Sequence, residues 1–312
     1  MNEIIAYKDH NNEYYDHEIV NGVPVKSKSE DALNIMRHDM AHILAEAVTT
    51  LFPDAKPTIG PFIKNGFYYD FDMENTLSDE DLSKIETQMK KILSEGRDFK
   101  KRSVSKTEAL EIFKDNQYKV ELINNLDNSA EINLYDQKDF TDLCKGPHHS
   151  STTEYDANFK ITSVSGAYWR GISTNKMLQR IYATAFYSEK ELNKYLKNLE
   201  EAKERNHRRL GTDMGLFLLT DLSAGNVFWK EKGLTLYQNI EKYIRSEQQK
   251  LNYLEVKTPE LVSNELWIKS GHWDNFKENM FTSETDNKTF ALKPMNCPCH
   301  IVLFNSQLIT YK

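Results

Sequence analysis

The stretch Ser27-Lys28-Ser29-Glu30-Asp31-Ala32-Leu33-Asn34-Ile35-Met36-Arg37-His38-Asp39-Met40-Ala41-His42-Ile43-Leu44-Ala45-Glu46-Ala47-Val48 decides the fold. Ile35, Ala41, Leu44, Ala45 and Val48 recur at helical spacing, and Ser27 with Glu30 has the spacing of a capping box. A helix is therefore predicted from near Ser27 to a stop ahead of Pro53. His38 and His42 fall in its middle, one turn apart, so both rings lie on one face. About a hundred residues later, Cys144-Lys145-Gly146-Pro147-His148 adds a thiol and a third imidazole at the same spacing. A second cluster folded back onto the helix would surround one small volume with groups that transfer protons or bind a metal. Such an arrangement suits ester hydrolysis better than scaffolding.

Outward from that helix, Asn65-Gly66 signals a turn into the aromatic strand Phe67-Tyr68-Tyr69-Asp70-Phe71. A second helix is predicted from Ser78–Asp81 to a stop at Gly96, with Leu82, Ile85, Met89 and Ile92 inward. A shorter one follows Ser105, and residues 118–184 read as mixed strands and loops. Ser188 and Glu191 cap a long charged helix that is predicted to run to Leu210, with Gly211 as its stop. Its narrow stripe of Leu192, Tyr195, Leu196 and Leu199 suits a bridge between domains. Beyond it, Gly233 to Lys250 is amphipathic. Leu254-Glu255-Val256 and Phe290-Ala291-Leu292 read as strands, and Glu265 to Ser270 as a helix.

The bulk numbers bound the possibilities. The 312 residues suggest two or three domains, and 39% hydrophobic with 11% aromatic content allows real cores. A net charge of -7 restricts any RNA contact to local basic patches such as Lys203, Arg205, His207, Arg208 and Arg209. Spacing alone reads those residues as a solvated face that suits a helix C-terminus. No apolar run approaches the roughly 20 residues that span a bilayer. Residues 1–5 lack the basic start and apolar stretch of a secretory signal. The odd count of 3 cysteines argues for a reducing compartment, and a cytoplasmic location is expected, with no membrane partner.

Each constellation also has a plain reading. His38 and His42 alone are often satisfied polar residues. With Cys144 and His148 a zinc site is chemically reasonable, and neutral imidazoles can equally serve as general bases. Asp142 can orient an imidazole or accept a substrate hydroxyl. In Lys293-Pro294-Met295-Asn296-Cys297-Pro298-Cys299-His300 the Cys-x-Cys-His spacing is too tight for a zinc knuckle, so spacing alone favours buried cysteines.

The assembled motifs strongly resemble the threonyl-tRNA synthetase family of class II aminoacyl-tRNA synthetases. His38-x-x-x-His42 with Cys144-x-x-x-His148 matches that family's editing signature, shared more loosely with alanyl-tRNA synthetases. Ile59-Gly60-Pro61, Asn65 to Asp70, Gly166 to Gly171, Asn175 to Tyr182, Ser270 to Asp274 and Lys293 to Pro298 resemble the threonyl enzymes specifically. The likeness runs from about residue 31 to the last.

The resemblance implies an α+β chain in a set order. Residues 1–30 are a vestigial or truncated ubiquitin-like region, 31–187 an editing domain of mixed sheet and helices, and 188–212 a linker helix. Residues 213–312 are the start of a class II antiparallel-sheet catalytic core. Pro259 matches the proline of motif 1, implying a homodimer through that region. The implied activity is ATP-dependent attachment of threonine to its tRNA through an adenylate, with hydrolysis of mischarged seryl-tRNA. The implied editing site is His38, His42, Cys144 and His148, with Asp142, Lys119 and Tyr69 as neighbours. The histidines would position water and contact the ribose 2′-hydroxyl, and Lys119 would stabilise developing negative charge. Cys297 matches the family's zinc cysteine, which reverses its plain reading. The two partner histidines, the arginine motifs that bind ATP, and the anticodon-binding domain are expected beyond Lys312, with ATP and magnesium as substrate of the full-length enzyme. This chain by itself is then expected to edit and not to form an adenylate. A stand-alone trans-editing hydrolase and a non-catalytic dimerisation paralogue are the rival readings, and the intact editing cluster disfavours the latter.

Overall fold

The computed structural model describes all residues except 1–3, 12, 17, 20, 128–130, 224, 286 and 307–312. The chain divides into two compact units, Met1–Asn206 and His207–Lys312.

The first unit opens with strands β1 (Ile4–Lys8), β2 (Tyr14–Tyr15) and β3 (Val23–Lys26) in a 3-stranded sheet of order β2-β1-β3. So few residues cannot enclose a core alone. Ala6 and Val25 are buried against Ala32 and Ile35 of the next helix instead. That helix, α1 (Glu30–Leu51), carries both histidines. Its cap is Ser29, whose side chain accepts from the Ala32 N–H, and not Ser27 as the spacing suggests. Lys28 has φ 64°, so the chain turns there and the helix starts after the turn.

Helix α1 is buried nearly all round. Met36, Met40, Ile43 and Leu44 are fully enclosed. Each fully buried aliphatic side chain is worth about 1.5–3 kcal/mol. The charges it carries inward are paired. The Arg37 guanidinium donates to the carbonyls of Ala185 and Lys64. Glu46 takes Arg97 at 2.9 Å and Gln137 at 2.7 Å. These partners offset a desolvation cost that would otherwise oppose folding.

Strands β4 (Lys56–Pro57), β5 (Phe62–Ile63) and β6 (Gly66–Asp72) follow, then α2 (Asp79–Glu95), which starts where expected with a Ser78–Asp81 capping box and has Gly96 at φ 74°. Next come β7 (Lys100–Val104), α3 (Lys106–Ile112) and α4 (Gln117–Asn124). Helix α4 corrects the expectation of strand and loop from 118. Asn116 caps it by accepting from the Tyr118 and Lys119 N–H groups. Strands β8 (Ile132–Gln137) and β9 (Phe140–Leu143) pair with β7 in the order β7-β8-β9. Strands β10 (Asn158–Tyr168) and β11 (Met177–Phe186) form a long antiparallel hairpin in a 5-stranded sheet of order β10-β11-β6-β4, with β5 on β6. Phe67, Tyr69 and Phe71 of β6 share one core with α1 and α2.

Helix α5 (Glu189–Glu204) has its Ser188–Glu191 capping box but stops short of Leu210. The second unit begins with α6 (His207–Asp213), and Gly211 lies inside it. That glycine is there for packing, since a Cβ would overlap the Phe217 ring.

The second unit continues with the paired strands β12 (Phe217–Leu218) and β13 (Phe228–Trp229), then α7 (Glu231–Lys250). Residues 254–256 belong to no strand, which corrects the strand expected there. Strand β14 (Leu261–Ser263), α8 (Asn264–Lys269), α9 (His272–Phe276), β15 (Thr282–Thr285), β16 (Lys288–Leu292) and α10 (Cys297–Phe304) complete it. Its strands run antiparallel in the order β14-β16-β15, over a small core of Trp267, Ala291 and Cys299. Both units mix helices with antiparallel sheets, so the chain is α+β. Among the described residues no helix is long and apolar enough to cross a membrane.

Candidate active site

The site forms where α1, β6, α4, β9 and the loop after β9 meet. The helical spacing of His38 and His42 brings their ring centroids to 5.2 Å. Strand β9 ends at Leu143, and the chain then turns through Gly146, at φ 75°, and Pro147. A Cβ at Gly146 would overlap the Tyr135 hydroxyl, so only glycine lets this loop close over β8. The turn returns His148 to the helix. Its ring lies 4.5 Å from His38 and 4.3 Å from His42, stacked on Phe99 at 4.9 Å.

Cys144 is central. Its Sγ lies 3.0 Å from His38 Nε2 and 3.4 Å from His148 Nε2, and the Gly146 N–H donates to it at 3.2 Å. The ligand-type atoms of His38, His42, Cys144 and His148 all lie within 4.8 Å of one another. These donor types suit zinc. A tetrahedral zinc site, however, holds its donor atoms less than about 4 Å apart. The observed contacts are hydrogen-bond contacts between the donors themselves.

A second group adjoins the first. Asp142 is buried, and its Oδ1 takes Lys119 Nζ at 2.5 Å and the Leu143 N–H at 2.8 Å. Its Oδ2 accepts from the Tyr69 hydroxyl at 2.5 Å and lies 3.9 Å from His42 Nε2. Lys119 also donates to the Tyr69 oxygen at 3.3 Å. Strand β6 points Tyr69 inward beneath Gly60, where a Cβ would run into the ring. The Asn116 cap sets Lys119 in the first turn of α4, and the side chain of Asn116 donates to the Pro57 carbonyl.

Burial sets the protonation pattern. Burial, reinforced by His148, His38 and Lys119, holds the His42 pKa well below its ordinary value. Burial also lowers that of His38, against the pull of Asp39 and Asp142. His148 goes the other way. Burial and His38 oppose its charging, but Cys144 and the Asp39 hydrogen bond raise it above the ordinary value. Burial and Asp142 keep the Tyr69 hydroxyl protonated far above its usual range. Two neutral imidazoles, a third with cationic character, a thiol and a lysine–carboxylate pair can together orient water, move a proton and stabilise an oxyanion.

The structure thus brings His38, His42, Cys144, His148, Asp142, Lys119 and Tyr69 into one cluster, in which His42, Asp142, Lys119 and Tyr69 are buried and His38, Cys144 and His148 half-buried. It does not bring Cys297 into any metal-binding group among the described residues. Cys297 is exposed at the start of α10, while Cys299, two residues on, is buried. The residues present do not complete a zinc site there. Sequence reasoning missed Asp39 and His149. Asp39 is fully buried and accepts from His148 Nδ1 at 2.8 Å and His149 Nδ1 at 2.6 Å. The available signal was a carboxylate between His38 and Met40, one turn from the apolar positions Ile35, Met36 and Ile43 of the same helix.

Residues 132–182 match the family described as the threonyl and alanyl tRNA synthetase second additional domain. That segment contains Asp142, Cys144 and His148. The whole chain is 48% identical over 318 residues to a threonine–tRNA ligase of Ehrlichia chaffeensis, covering 50% of that protein. It is 47% identical over 290 residues to the threonine–tRNA ligase of Marinobacter nauticus, covering 92% of this chain and 45% of the relative. The chain spans about half the length of the curated relatives it matches. A solved RNA-binding domain of threonyl-tRNA synthetase from Cryptosporidium parvum is 41% identical. It covers 34% of this chain and 27% of that one, at a TM-score of 0.33.

Proposed function

Because this chain belongs to the threonyl-tRNA synthetases, whose N-terminal half it matches over its whole length, we propose that its first unit hydrolyses mischarged seryl-tRNA. The observation that carries this reading is the Lys119–Asp142–Tyr69 group held against His42, with Cys144 between His38 and His148. The substrate bond is the ester between the seryl carboxyl and a ribose hydroxyl of the tRNA end. A water attacks the carbonyl carbon, its proton passes to a neutral imidazole, and the resulting imidazolium returns that proton to the ribose oxygen as the ester bond breaks. Burial keeps His38 and His42 neutral, so each ring has a lone pair free to accept the proton. Lys119 is suited to the negative charge that develops on the carbonyl oxygen.

A separate hydrolytic site answers a limit of recognition. A pocket built around a hydroxyl rejects an amino acid that lacks one. Serine keeps the hydroxyl, and its missing methyl is worth only about 1–3 kcal/mol.

For the longer protein we propose ligation of threonine to its tRNA, with ATP and magnesium as co-substrates and a cytoplasmic location. Residues 31–187 would be the editing domain, 188–212 the linker and 213–312 the beginning of a class II core. Motif 1 around Pro259 would form a homodimer. Cys297 would contribute one thiolate to a zinc that binds the amino and hydroxyl groups of threonine. A stand-alone trans-editing hydrolase is the second reading. It draws support from the site lying wholly within the Met1–Asn206 unit.

Deacylation of seryl-tRNA, with threonyl-tRNA as control, tests the proposal alongside threonine-dependent pyrophosphate exchange. Seryl-tRNA should be hydrolysed, and these 312 residues should show no exchange. In Cys144→Ala, hydrolysis should slow about tenfold or more while the melting curve stays close to wild type. Absence of hydrolysis, or clear exchange, would refute the assignment.

A further inference from the structure

Asp39 has no part in the hydrolytic scheme above, yet it is the most enclosed charge beside the cluster, with its side chain 0% exposed. Burial alone would push its carboxyl up. The hydrogen bonds and charge of His148 and His149 overcome this and hold it below the usual carboxylate range. An ionised carboxylate offers only lone pairs, so every ring nitrogen that faces it must carry a proton. Oδ1 faces Nδ1 of His148 at 2.8 Å, and Oδ2 faces Nδ1 of His149 at 2.6 Å. The His148 ring has little freedom to answer in any other way. It is stacked between Phe99 (4.9 Å, 11°) and His38 (4.5 Å, 17°), with Tyr135 against its edge at 4.4 Å.

We propose that Asp39 is a positioning residue for the hydrolysis: it keeps a proton on Nδ1 of His148, so that Nε2 is the atom presented to Cys144. His149 is the second anchor. It occupies Oδ2, is itself braced by the Tyr155 ring at 4.7 Å, and stops the carboxylate from rotating away. The result is a carboxylate–imidazole–thiol line from Asp39 Oδ1 through His148 to Cys144 Sγ. Asp39 shares α1 with His38 and His42, so one helix sets the geometry of all three imidazoles. The inference rests on the hydrolytic reading for its consequence, and not for the position of the proton.

The test combines ring-nitrogen NMR with kinetics. In wild type, long-range proton–nitrogen spectra should show His148 Nδ1 protonated. Asp39→Asn keeps the size but offers one acceptor and one donor, so it cannot hold both Nδ1 protons. The His148 or His149 spectrum should change. For seryl-tRNA hydrolysis kcat should fall about tenfold or more with KM within about twofold, the pattern of lost proton positioning. His149→Ala should leave the His148 Nδ1 proton in place and lower kcat less than Asp39→Asn does. An unprotonated His148 Nδ1 in wild type overturns the proposal, whether or not any variant folds. So does a folded Asp39→Asn with unchanged kcat. A wild-type chain that does not hydrolyse seryl-tRNA refutes the function, while the spectrum still decides where the proton sits.

Discussion

At the scale of residues, the site holds imidazoles of opposite tendency within 4.5 Å of one another. His38 and His42 have folded pKa values below 6.5, so the unfolded chain binds more protons once the pH falls below that value. Stability contributed by keeping them neutral is present above 6.5 and lost progressively below it. His148 acts in the reverse sense. Its contribution is complete below 6.5 and fades as pH rises through its raised folded value. Burial, His148, His38 and Lys119 all push His42 in the same direction, so it is the residue to test on the acid side. The melting temperature should therefore decline as pH falls below 6.5, and His42→Gln should flatten that decline. Parallel pH profiles for the two proteins would show that His42 is not the group responsible.

At the scale of elements, position and stability separate at two small residues. Ser29 caps α1 from outside the site, and Ser29→Ala should cost about 1 kcal/mol with hydrolysis per folded molecule unchanged. Gly60 lies against the Tyr69 ring, and Tyr69 holds Asp142. Gly60→Ala must displace that ring, so it should lower both the melting temperature and the rate of hydrolysis. Thermal melts and single-turnover deacylation on both variants check the contrast. Equal loss of activity in the two would mean that α1 stability, and not Tyr69 placement, controls the rate. The element ends that misled the sequence reading share a cause. Ser27 and Ser29 are both good caps, and the turn at Lys28 chooses between them. Gly211 reads as a helix stop, but its bare backbone is what Phe217 packs against.

At the scale of the whole molecule, the units differ in how well they enclose themselves. The first gathers Met36, Ile43, Phe67, Phe71, Ile85 and Ile181 into one fully buried core. In the second, Leu222 (91%), Leu254 (90%) and Phe281 (80%) stand in solvent. Apolar exposure on that scale favours association. Residues 1–206 produced alone should be monomeric, melt cooperatively and keep hydrolysis of seryl-tRNA. The 312-residue chain should bind a hydrophobic dye or self-associate. Light scattering and dye fluorescence measure the difference, and an aggregating 1–206 segment would contradict it.

Local sequence determined what local physics controls. The period of the apolar residues made α1 a helix and put His38 and His42 on one face. Asn65-Gly66 and the alternating aromatics made β6, and capping boxes marked α2 and α5. The motif strings carried the family resemblance. Tertiary structure alone decided which distant groups share a proton. Lys119 reaches Asp142 because Asn116 starts a helix where no strong apolar period announced one. Asp39 meets His148 and His149 across separations of 109 and 110 residues. A buried carboxylate is tolerable only with such partners, and which partners arrive depends on packing that no window of sequence contains.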